Sequence, residues 1–335
     1  MREYEQPVRR RRPPKKRRRK RAAGMQPIIA LLVLVVVLSG GVFFLWHHVN
    51  NDTDYIPAIL PRENPPRENS PGEHTPGTTS PADNATEAYP TEEQGIVLVS
   101  TPRAQLRDTG YLKLVNRNLA MSRPIDYAYI VYAWPTVPVR ATDITVHYTL
   151  LNAISGLFED GLGVAEFFVT SGYRNVARQA QIYENAVDRM YVMPPGHSEH
   201  NLGLAADILA PGLSLNSADM SGTPEAVWLA ENAWRHGMVL RYPYGTTHIT
   251  DVAYEPWHFR YVGRVHAWYM TMTGMVLEEY LEYLATREEL AVILDGVTYY
   301  IWYRHPVNNQ LYVPRDLQFT VSSSNKGGYV ITAWE

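Results

Sequence analysis

Twenty consecutive residues without a charge, Pro27 to Trp46, constrain this chain more than any other feature. A run of that length in Leu, Val, Ile and Phe can cross a bilayer as one helix. Arg9 to Arg21, just before it, is basic at every position except Pro13 and Pro14. Arginines beside an apolar span hold that end on the cytoplasmic side, and Trp46 suits the far interface. Alone, the basic block would read as a nucleic-acid-binding arm; beside the span it reads as a cytoplasmic segment that touches anionic lipid. A cleaved signal peptide has a shorter apolar core followed by small residues. Ser39-Gly40-Gly41 is a weak cleavage site, and the apolar run continues past it through Leu45. The expectation is an uncleaved single-pass anchor in a cell membrane, with the amino terminus cytoplasmic, the bulk of the chain extracellular and no nucleic-acid partner.

Charge divides the chain in the same way. Residues 1–26 hold 12 Lys and Arg against 2 Glu, and the remainder holds 19 basic against 32 acidic residues, so the overall −3 conceals +10 followed by −13. Residues 47–94 turn to Asn, Thr, Glu and Pro, with prolines recurring from Pro57 to Pro90. Such a stretch buries too little apolar surface to offset its ordering entropy, and its prolines bias it toward an extended spacer. The chain has no cysteine. Disulfides and thiolate metal sites are thereby excluded, leaving His and carboxylates as metal ligands.

From 95 to 285 short strands alternate with helices, the pattern of an α+β domain with mixed helices around a small antiparallel sheet. Residues 111–115 read as a short strand. Residues 142–158 carry Ile144, Tyr148, Leu151 and Ile154 at helical spacing and stop at Gly161. Residues 167–170 and 204–209 read as buried strands, and Asn175 as the cap of a helix. Thr223-Pro224-Glu225 is a helix start, with a cap, a proline in the first turn and an acid at the positive dipole end. Strand-like runs at 298–303, 310–313, 318–321 and 329–331, separated by turn signals, predict a small β-rich module over 286–335.

The chemistry concentrates in two clusters. His200 and Asp207 stand seven residues apart with Gly203 between them, and Glu255-Pro256-Trp257-His258 follows later. Two imidazoles, an aspartate and a spare glutamate are the parts of a catalytic zinc centre. An odd separation on one straight strand would aim His200 and Asp207 at opposite faces. Gly203 is placed to let the chain bend, which puts His200 in a loop and Asp207 in the strand after it. Glu255 precedes proline and is pushed to extended backbone, from which its carboxylate can act as a general base. Arg174 can stabilise a developing oxyanion. Taken singly, each has a plain structural alternative; Asp207 is the most telling, because a carboxylate inside an apolar run must find a partner. His197, His236, His248 and His266 lack a companion carboxylate at matching spacing and read as structural.

Taken as a set, Ser171-Gly172-Tyr173-Arg174 with Gln179, the stretch Gly196 to Asp207, Arg241-Tyr242-Pro243 and the stretch Glu255 to Gly263 closely resemble the VanY-type D-alanyl-D-alanine carboxypeptidases. These are zinc peptidases of the hedgehog/DD-peptidase fold, and the resemblance covers residues 110–284. It implies Zn2+ held by His200, Asp207 and His258, with Glu255 as catalytic base and Arg174, Gln179 and Ser198 contacting substrate; Arg174 is expected to act in catalysis with Glu255, and Trp257 to be a further substrate contact. The implied substrate is the terminal D-Ala-D-Ala bond of peptidoglycan stem peptides or precursors. An L,D-carboxypeptidase trimming tetrapeptide stems is the alternative within the fold, and a non-catalytic cell-wall-binding module the alternative outside it. The intact Glu255 argues against the latter. Asn175 stands where the family usually has Ser, Asn201 where it often has Gln, and residues 244–252 lack its usual Gly-Lys and Thr-Gly-Tyr pattern. These departures rim the cleft and bear on substrate preference.

Overall fold

The computed structural model describes residues 95–122 and 126–335. The expected basic segment (1–26), membrane span (27–46) and linker (47–94) lie outside the described residues, among which no helix is long and apolar enough to cross a membrane. In chain order the first elements are β1 (Leu98–Pro102), β2 (Ile130–Tyr132), β3 (Thr145–His147), α1 (Tyr148–Asp160), β4 (Phe168–Ser171) and α2 (Val176–Glu184). Next come β5 (Ala205–Leu209), α3 (Pro224–Asn232), β6 (Met238–Leu240), β7 (His258–Tyr261), α4 (Arg264–Thr273) and α5 (Leu277–Arg287). Five strands complete the chain: β8 (Glu289–Leu294), β9 (Val297–Arg304), β10 (Gln310–Pro314), β11 (Gln318–Ser323) and β12 (Tyr329–Trp334).

The helical stripe expected over 142–158 forms, but it starts later. Residues 145–147 pair with β2 as β3, and His147 then caps α1 by accepting from Thr149 N at 3.2 Å. Leu150, Ile154 and Leu157 of α1 are fully buried against Val169, Ala206, Ile208 and Phe259. These last belong to an antiparallel sheet of order β4-β5-β7-β6. Side chains alternate across a sheet, so Asp207 and His258, the neighbours of Ala206 and Phe259, project to the face opposite α1. The structure is thus the expected mixture of helices around a small antiparallel sheet.

Residues 111–115 do not form the predicted strand. Their backbone groups are satisfied elsewhere: Leu112 N donates to Ser322 Oγ at 2.8 Å, and the carbonyls of Tyr111 and Lys113 accept from Arg260 Nη2 at 3.0 Å each. A segment whose polar groups are met by side chains needs no ladder.

The carboxy-terminal strands form a second antiparallel sheet, order β11-β12-β9-β8, while β10 pairs with β1. Neither β1 nor β8 was among the expected strands. The inner residues of β8 and β9, including Leu290, Val292, Ile301 and Tyr303, share a core with Val265, Tyr269, Leu277 and Tyr280 of α4 and α5. The aromatic-rich end of the chain therefore packs onto the helices that follow β7. His266 joins them: buried on α4, it bonds Tyr280 Oη on α5 at 2.8 Å and Thr332 Oγ1 on β12 at 2.9 Å.

Candidate active site

Asp207 and His258 occupy facing positions of β5 and β7, so strand register sets their side chains beside each other. His200 reaches the same point from the helical turn Glu199–Leu202, which ends at Gly203 in the left-handed conformation with φ 69°. A Cβ at Gly203 would stand 2.5 Å from Ile130 Cδ1; both the bend and the close approach call for glycine. His200 thus lies before the bend and Asp207 in the strand after it. The three side chains offer ligand atoms that all lie within 4.8 Å of one another. His200 Nε2 is 3.4 Å and His258 Nδ1 3.1 Å from Asp207 Oδ1. Ligand atoms around a tetrahedral ion with bonds of about 2.0–2.1 Å stand about 3.3 Å apart, so both distances to Asp207 fit an ion of zinc's size.

The donor states of His200 and Asp207 fit as well. A register shift in β4 between Val169 and Ser171 precedes Gly172, whose carbonyl accepts from His200 Nδ1 at 2.6 Å. That hydrogen bond leaves Nε2 as the lone pair. Burial holds His200 down to about 4, so its ring is neutral, as a ligand must be. Burial opposes the charge on Asp207, but the His200 and His258 imidazoles hold its carboxyl well below the usual range. For His258 burial also opposes charge, and hydrogen bonding to Asp207 and Glu199 overrides it, raising the imidazole to about 9. The proton it retains sits where a metal would bind, and metal binding would release it.

Glu255 is buried beside the cluster, its Oε2 3.6 Å from His258 Nδ1. Its backbone is fixed by Glu255 N donating to Tyr242 O at 3.1 Å and by His258 N donating to Glu255 O at 3.2 Å. Burial pushes its carboxyl up to about 8, a value suited to exchanging protons near neutral pH. Arg174 is tied to the ligand loop through its backbone: its N donates to His200 O at 3.1 Å and its O accepts from Asn201 Nδ2 at 2.6 Å. Its Nε is buried with no hydrogen-bond partner among the described residues.

A cavity of about 420 Å³ opens over the cluster, lined by Arg174, Ser198, Tyr242, Glu255 and Trp257 as well as by His200, Asp207 and His258. Gln179 is not on that wall. It projects from α2 into the interior, where its Nε2 donates to the carbonyl of the wall residue Met193 at 2.6 Å; it supports the cavity from behind. The other histidines bond elsewhere, His197 Nδ1 to Asn116 O and His236 Nε2 to Asp160 Oδ2, each at 2.8 Å. Sequence reasoning missed Tyr242, whose ring centroid lies 4.9 Å from that of His258, although it stands in the Arg241-Tyr242-Pro243 motif. It also missed Asp188 and Tyr191 from one short helical turn and Asn216 and Ser217 from another, wall residues whose convergence no spacing displays.

Two imidazoles and one carboxylate converging beside an antiparallel sheet, with a buried glutamate to spare, are the donor set of a mononuclear metal-dependent hydrolase. Residues 147–264 match the family model described as VanY: D-alanyl-D-alanine carboxypeptidase. The chain is 40% identical over 174 residues to a D-alanyl-D-alanine carboxypeptidase of Enterococcus faecium, an alignment covering 51% of this chain and 55% of that protein. It is 30% identical over 187 residues to the bifunctional D-Ala-D-Ala dipeptidase and D-Ala-D-Ala carboxypeptidase VanXYC of Enterococcus gallinarum, covering 52% of this chain and 95% of that one. The crystal structure of the vancomycin resistance D,D-dipeptidase VanXYg, in complex with a D-Ala-D-Ala phosphinate analogue, superposes with a TM-score of 0.62 at 25% identity, covering 72% of this chain and 99% of that one. The chain belongs to the VanY family of D-alanyl-D-alanine carboxypeptidases. It spans about half the length of the Enterococcus faecium relative.

Proposed function

We propose that this chain is a zinc D,D-carboxypeptidase that hydrolyses the terminal D-Ala-D-Ala bond of peptidoglycan stem peptides or their precursors. The observation that carries this is the convergence of His200, Asp207 and His258 in the one cavity that Glu255 and Arg174 also line. The names of the relatives, and the D-Ala-D-Ala phosphinate analogue bound by VanXYg, support the substrate. A nitrogen, nitrogen, oxygen donor set in a chain without cysteine suits zinc, and zinc bound there would supply a Lewis acid for the scissile carbonyl and the attacking water.

The protein's own groups do the rest. The Glu255 carboxylate takes a proton from the attacking water. Its buried setting makes it a stronger base than an exposed glutamate, and then an acid able to protonate the departing D-alanine amine. The Arg174 guanidinium presents a positive charge where the carbonyl oxygen becomes anionic. Ser198 and Trp257 hold the peptide against the wall, and Gln179 acts through the segment it supports. The anchor belongs to the same proposal: residues 27–46 cross a cell membrane once, the amino terminus stays cytoplasmic, and residues 47–94 hold the catalytic domain out toward the wall. Because the chain has no cysteine, a single Cys placed in 47–94 tests the orientation. Labelling of intact cells by an impermeant thiol reagent is expected, and labelling only after permeabilisation would refute it.

For the chemistry, pentapeptide and tetrapeptide stems are incubated with the protein, with and without chelator, alongside Glu255→Ala. D-Alanine is expected from the pentapeptide alone, lost on chelation, restored by zinc and absent with Glu255→Ala. Activity that survives both chelation and the substitution would sink the zinc mechanism. Release from the tetrapeptide only would move the chain to the L,D class.

A further inference from the structure

A buried carboxylate lies behind the ligand cluster. Glu199 is 1% exposed, and its Oε1 accepts from Arg241 Nε and Arg260 Nη1, each at 2.8 Å. Both guanidiniums are themselves anchored. Arg241 grips Glu278 of α5 with two nitrogens at 2.9 and 2.7 Å, and Arg260 holds the carbonyls of Tyr111 and Lys113. These bonds account for Oε1 only. Glu199 Oε2 and His258 Nε2 are both buried without a hydrogen-bond partner among the described residues, and they face each other across 3.5 Å.

An imidazole nitrogen turned to a carboxylate oxygen is favourable when the nitrogen carries the hydrogen. Without a metal Nδ1 also carries a hydrogen, given to Asp207 Oδ1 at 3.1 Å; a metal bound by this ring would take the place of that hydrogen and leave the one on Nε2 to Glu199. We propose that Glu199 is a positioning residue of the metal centre: it holds a hydrogen on His258 Nε2 and so presents Nδ1 as the donor, while Arg241 and Arg260 fix the Glu199 carboxylate in place. The arrangement parallels His200 with the nitrogens exchanged, since His200 Nδ1 is occupied by Gly172 O and Nε2 is left to bind. One ligand is oriented by a backbone carbonyl and the other by a charged carboxylate, which also raises the donor strength of the ring. This inference rests on the assignment of His200, Asp207 and His258 as metal ligands.

The test uses the full chain with its histidine nitrogens isotope-labelled and a spin-half cadmium isotope in place of zinc. Metal–nitrogen coupling is expected to Nδ1 of His258 and Nε2 of His200, with a slowly exchanging proton on Nε2 of His258. In Glu199→Gln the amide keeps its oxygen for the arginines and turns an NH2 toward His258 Nε2, favouring the wrong tautomer. Zinc affinity by chelator competition should fall about 10–100-fold. Coordination of His258 through Nε2, or a folded Glu199→Gln that binds zinc within twofold of the wild type, overturns the proposal and leaves the ligand assignment standing. If Glu199→Gln does not fold, the wild-type coupling pattern decides. A wild type in which neither histidine couples to the metal instead removes the ligand assignment and this inference with it.

Discussion

His266 ties the helices after β7 to the carboxy-terminal sheet, and its burial gives stability a calculable pH dependence. Its ring is enclosed between Tyr280 Oη and Thr332 Oγ1, and burial lowers it from 6.5 to about 3. Because the folded value is depressed, the folded chain refuses a proton that the unfolded chain accepts. The contribution is therefore complete above the unfolded value and declines as pH falls from 6.5 toward 3. Each unit corresponds to about 1.4 kcal/mol, so between about pH 7 and about pH 5 the loss is about 2 kcal/mol. That figure does not depend on the folded value so long as it lies well under the lower pH. His266→Gln keeps a donor and an acceptor but no titration. Urea unfolding at both pH values should show the wild type losing about 2 kcal/mol more than the variant across the interval. Other buried histidines contribute alike to both proteins and cancel in the difference. Equal losses in the two proteins would refute a neutral, buried His266, and a larger loss in the variant would reverse the sign of the linkage.

Two further substitutions probe the supports of the site. Arg260→Met leaves Glu199 with one of its two arginines, Arg241, and frees the carbonyls of Tyr111 and Lys113. Breaking a buried pair of this kind costs about 3–5 kcal/mol, read as a drop in the urea midpoint; a loss below about 1 kcal/mol would mean that the network is dispensable. Gly203→Ala forces a side chain into φ 69° and against Ile130 Cδ1, at a cost of about 1–3 kcal/mol, and should weaken metal binding because the bend positions His200. Unchanged stability and metal affinity would show that the turn has another solution.

The site was more legible than the fold around it, for a physical reason. Two ligands and the base follow local rules that the chain writes out: an odd separation with a glycine inside it for His200 and Asp207, an X-Pro step for Glu255. His258 is placed by its pairing with Asp207 across β5 and β7. The strand expected at 111–115 failed because its apolar residues say nothing about where its carbonyls go; Arg260, far along the chain, takes them. The helix expected from 142 started later because β2 claims residues 145–147 for a ladder. Gln179 lies in the matching motif, yet the inward face of α2 aims it at the Met193 carbonyl. In all three cases a partner distant in sequence decided the outcome. β8 was hidden for another reason: its burial alternates, but the outward face carries apolar Ala291 and Ile293, so Leu-Ala-Val-Ile-Leu shows no period of two.

The same period of two builds core and site at once. Along β5 and β7, Ala206 pairs with Phe259 toward α1, Asp207 with His258 toward the cavity, and Ala205 with Arg260. Arg260 therefore shares the face of His258, two residues along, which is how one strand supplies both a ligand and a cation holding Glu199 behind it. A slip of one residue between these strands would turn every side chain of one of them to the other face, burying a ligand against α1 and exposing Phe259. The apolar packing of α1 thus enforces the register that the metal site requires. Substitutions that loosen Phe259 or Ala206 should then disturb metal binding without touching a ligand.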